Sequence, residues 1–133
     1  MSNTAQPSDL LAQAQTFEDA ADALSPKVAD VSISLDDRKQ IFTQSLVLRS
    51  QAFELRSQAA AGIVKNLKID VAALKSQIDA AKQALLNVAK IKSVIDLASG
   101  LASTATALAT GQPAAITGAL VALQKTLASA KSA

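Results

Sequence analysis

Cysteine, histidine, tryptophan and tyrosine are absent from the 133 residues, and glycine occurs only four times, proline and phenylalanine three times each. Without thiols or imidazoles the chain cannot perform thiol or histidine acid–base catalysis, build a serine–histidine triad, or hold a metal on sulfur or ring nitrogen. Disulfides are equally impossible. Asp36 and Asp37 are adjacent, so on a helix their carboxylates splay about 100° apart and make no paired acid–base site. Gly62, Gly100, Gly111 and Gly118 are too dispersed for a phosphate-cradling loop, and no Gly-Lys-Ser/Thr occurs. The expectation is a protein that is not an enzyme, with no catalytic, metal or cofactor-binding residues. The first residues carry neither a basic nor an apolar leader segment, which makes the cytoplasm the default compartment and leaves leaderless secretion open.

What is present is helical material. Half the residues are apolar, dominated by Ala and Leu, with few β-branched or aromatic strand formers. Leu10, Leu11, Ala14, Phe17, Ala21 and Leu24 recur at helical spacing behind Ser8, a candidate N-cap, and Pro26 closes the run, predicting a helix over 9–25 after a disordered tail, 1–8. A second helix is predicted over 35–62, with Asp36 and Asp37 favourably placed in its first turn and a near-repeat of seven residues, LRSQA at 48 and again at 55. Leu67, Val71, Leu74, Ile78, Ala81, Leu85 and Val88 then step by fours and threes as a seam. At Val88 two steps of three follow each other and rotate the seam, but no Gly or Pro intervenes, so a third helix is predicted to continue over 68–110. Thr110-Gly111-Gln112-Pro113 is a strong break before a last helix, 113–130. The expected fold is one all-α domain over 1–133, an antiparallel bundle of about four helices, the second and third long, with a C-terminal α-hairpin.

Charge is uneven. Residues 1–37 carry a net −6 and residues 38–133 a net +8, a split that marks either a binding surface or two segments that pack together. On a projection at about 100° per residue, Arg49 and Arg56 fall inside the arc that holds Leu55, Ala52, Phe42 and Phe53. Glu18 and Asp22 share one face of the acidic first helix, so interhelical pairs of Arg49 and Arg56 with Glu18 and Asp22 are expected. Lys68, Lys75 and Lys82 recur every seven residues, a spacing compatible with acidic partners or anionic lipid. A nucleic-acid partner is disfavoured, because the region lacks arginines and stacking aromatics.

The most unusual segment lies between Asp96 and Lys125, where 28 consecutive residues carry no ionisable side chain. Its arms are shorter than the roughly 20 residues that cross a bilayer. Gly100 with Thr104 and Gly118 with Ala122 place small residues four apart, as close helix packing requires. The hairpin is either buried centrally or a contact surface, and Leu97, Leu101, Leu108, Ile116, Leu120 and Leu123 are the candidate contact residues. Long amphipathic helices leading into an uncharged hairpin resemble the heads of α-helical pore-forming toxins, and a short, Ala-rich, Cys-free helical chain is similar to the granule-coating phasins. Those resemblances imply a hairpin that enters a lipid phase or coats a granule surface. The residues themselves favour association with a second copy or with a partner helix.

Overall fold

A computed structural model describes residues 4–132. Among these it places five helices, α1 (Pro7–Ala29), α2 (Leu35–Ala60), α3 (Val71–Asn87), α4 (Ile91–Thr110) and α5 (Pro113–Ser132), with two short antiparallel strands, β1 (Thr4–Ala5) and β2 (Lys65–Asn66). The fold is an all-α bundle.

Helix ends follow local chemistry. Pro7, with no N–H to satisfy, opens α1 behind Gln6, whose own N–H donates to the Asp9 carboxylate at 2.8 Å. The tail expected over 1–8 is therefore largely structured: Thr4 and Ala5 pair with Asn66 and Lys65, helix starts before Ser8, and only residues 1–3 of that stretch lie outside the described residues. Pro26 does not stop α1, because in the last turn it removes a single intrahelical bond. The Ser34 hydroxyl accepts the Asp37 N–H at 3.2 Å to start α2, and the Asp70 carboxylate accepts the Ala72 N–H at 2.9 Å to start α3. Gly111 adopts φ 71°, the left-handed turn that ends α4 and reverses the chain into α5.

The continuous third helix is not formed. Its place is taken by α3 and α4, separated by Val88 and Lys90 in extended conformation, and Leu67 and Lys68 precede α3 in a loop. A single helix over 68–110 would be about 65 Å long, against about 39 Å for α2. Its far half would have nothing to pack on. Breaking at the rotated seam costs a few backbone hydrogen bonds but lets Leu74, Ile78, Ala81 and Leu85 of α3 and Val94, Leu97, Leu101 and Leu108 of α4 reach one core. Burying several large side chains at about 1.5–3 kcal/mol each outweighs those bonds.

Helix α4 sits at the centre and touches all four other helices. Helices α2 and α5 lie on either side of it without substantial contact with each other, so one face of α4 is left uncovered between them.

Candidate interaction surfaces

Every leucine and isoleucine expected to form a contact surface on the hairpin is turned inward. Leu97, Leu101, Leu108, Ile116, Leu120 and Leu123 are at most 3% exposed and belong to the core. The tip is covered as well. The last carbonyls of α4 have no partners within the helix. The Lys65 ammonium donates to the carbonyls of Leu108 and Ala109 at 3.0 and 2.8 Å, and the Gln58 side-chain amide donates to that of Ala109 at 2.8 Å. Desolvation at this site lowers the Lys65 pKa from the ordinary lysine value, an effect that nearby Glu54 opposes. The backbone at the tip is thus tied to α2 and β2, while its large side chains lie in the core.

What the hairpin shows outward is small. Ser99, Ser103, Thr106 and Thr110 of α4 form the floor of a groove of about 570 Å³, walled by Gln44 and Val47 of α2 and by Ala115 and Ala119 of α5. None of the residues lining it is ionisable. The floor residues span twelve positions, about 16 Å or three helical turns. Of the two glycines, Gly100 brings α4 and α5 together, since a methyl there would lie 2.9 Å from Leu123 Cδ1, whereas Gly118 faces open space.

The arginines of α2 meet the acids of α1. Arg49 Nη1 lies 2.8 Å from the Asp22 carboxylate and Arg56 bonds to Glu18, with further contacts from Arg49 to Ser25 at 3.4 Å and from Arg56 to Gln15 at 3.3 Å. Side-chain exposures of 42% and 62% in the first pair, and 35% and 36% in the second, make both surface pairs rather than buried ones. The spaced lysines do not form a row on one helix: Lys68 precedes α3, Lys75 lines a surface pocket together with Asp9 and Asp70, and Lys82 approaches Asp19 at 4.0 Å. Among the described residues no three carboxylates converge as a metal site would need, and no helix is long and apolar enough to cross a membrane.

A second apolar surface lies on α2 itself. Its core seam is Ile41, Ser45, Leu48, Ala52, Leu55 and Ala59, in steps of four and three. Phe42 and Phe53, placed with the core arc by projection, instead point to solvent, so Phe17 alone of the three phenylalanines is in the core. With Leu35 and Leu46 they form one outward line, 56%, 49%, 50% and 71% exposed at positions 35, 42, 46 and 53. Steps of seven, four and seven return to the same side of a helix, and this spacing was the signal available in the sequence.

No protein family, curated protein or solved structure matches this chain.

Proposed function

We propose that this chain is a non-enzymatic helical interaction protein that receives a partner helix along the uncharged outer face of its C-terminal hairpin. The observation that carries this reading is the groove between α2 and α5, floored by serine, threonine and alanine of α4 and free of ionisable groups. Small floor side chains let a helix backbone approach closely, as alanine- and serine-rich contacts do elsewhere. The absence of charge disfavours an acidic or basic peptide, because an ion seated there would lose water without gaining a counter-charge. The occupant that fits is an α-helix of about three turns with a small-residue, uncharged face, as one strand of a mixed bundle presents.

Entry of the hairpin into lipid, or its spreading on a granule, is the second reading. It requires α4 and α5 to leave the bundle and uncover leucines that now fill the core, so it starts from a larger penalty. A photo-reactive residue at Ser103, compared with one at exposed Gln83 on α3, tests the first reading in cells that make the protein. Adducts with another polypeptide from position 103 and none from 83 are expected. Equal labelling from both would overturn it, and stable flotation of the purified chain on anionic vesicles would favour the second reading.

A further inference from the structure

We infer that two copies of this chain pair antiparallel through the outer face of α2, with Leu35 and Phe42 of one copy against Phe53 and Leu46 of the other. The surface lies on another side of α2 from the groove and is argued independently of it.

Single exposed apolar side chains are common on proteins, but four large ones in line on one helix are not. The line also has a symmetry that selects its occupant. Leu35 and Phe53 stand nine positions either side of Gln44, and Phe42 and Leu46 stand two either side. Turning α2 end over end about that level therefore lays leucine on phenylalanine at all four places. A two-fold interface is self-complementary in this sense, each patch matching a reversed copy of itself. An unrelated helix has no reason to require it.

The borders tolerate a copy. In an antiparallel two-fold pair, like edges face each other. One edge carries Arg38, Arg49 and Arg56, which would repel their own image if bare. Asp22 and Glu18 of α1 already offset Arg49 and Arg56, so Arg38, which keeps its charge while its Nε donates to the carbonyl of Ile33 at 3.0 Å, falls within one residue of the level of an Arg49 of the second copy that is already paired. The other edge is Thr43, Ser50 and Ser57, with Lys39 falling within one residue of the level of Ser50 of the second copy. The contact runs for about 27 Å along the helices. One helix face covers less than the roughly 800 Å² per partner of a standard interface, so the expected dimer is a weak, reversible one.

Sedimentation equilibrium of the full chain at about 10–500 µM tests this, with thermal melts as the control for folding. The chain is expected to dimerise, Phe53→Glu and Leu35→Lys each to weaken the dimer more than tenfold with melts unchanged, and Leu35→Lys/Phe53→Glu to recover it. Within one chain positions 35 and 53 are about 27 Å apart, so recovery can only come from pairing between copies. A wild-type chain that stays monomeric throughout, a dimer indifferent to Phe53→Glu, or a double variant that stays monomeric would each overturn the inference.

Discussion

Gln13 shows how a residue can depart from the logic of its surroundings. It is 2% exposed within α1, and neither atom of its side-chain amide has a hydrogen-bond partner. A buried amide left unpaired costs about 1–3 kcal/mol. Methionine has similar length and flexibility and no such requirement. Gln13→Met should therefore raise the stability measured by urea unfolding by about 1–2 kcal/mol; a loss would mean that the amide is satisfied in solution. The two small-residue positions of the hairpin make a paired test. Gly118 faces open space, so Gly118→Ala should stabilise by about 1 kcal/mol through helix propensity alone. At Gly100 the added methyl must displace fully buried Leu123, and Gly100→Ala should forfeit that gain in a calorimetric melt. Equal shifts in the two variants would show that α4 and α5 are not held at the distance described.

At the scale of elements, α1 and α2 pair antiparallel over a seam and are laced at the surface by Arg49 with Asp22 and Arg56 with Glu18. Both pairs are more than a third exposed or close to it, where water and salt screen most of the attraction, so each contributes at most about 1 kcal/mol. Arg49→Ala, Asp22→Ala and the double variant should give a coupling energy of that size or smaller in a double-mutant cycle, shrinking in high salt. A coupling of several kcal/mol would place the pair in a buried setting that its exposure contradicts. Gly111 and Pro113 were legible in the sequence as the break between α4 and α5, whereas Ser8 and Pro26 marked ends that α1 does not have. The break at Val88 was not legible from turn residues, because no glycine or proline marks it and only the rotated seam records it. Local propensity favours helix across Val88 to Lys90, and packing of both halves onto one core overrides it. On α2 the difficulty was of another kind. Phe42 and Phe53 lie only about 120° from the centre of the core seam, so a projection assigns them to one broad apolar arc, whereas α1 and α4 cover only part of that arc.

For the molecule as a whole, the uncharged segment serves two purposes on two faces. Inward, its leucines and Ile116 join the core, with α4 at the centre and α5 packed on α4 and α3. Outward, its serines, threonines and alanines floor and wall a groove. Uncharged composition was legible in the sequence, but the division between faces was not, because leucines at helical spacing read equally as core or as contact residues. Leu108→Glu should abolish cooperative unfolding, since it places a charge at a fully buried apolar position. Ser103→Arg, on an exposed position, should shift stability by no more than about 0.5 kcal/mol. The most direct test of the association reading is the yield of adducts from a photo-reactive residue at Ala115, on the α5 wall of the groove, measured in chains with and without Ser103→Arg. Adducts with another polypeptide are expected in the parent chain and their loss in the variant, whose melt stays that of the parent; undiminished adducts in a variant that remains folded would overturn the reading.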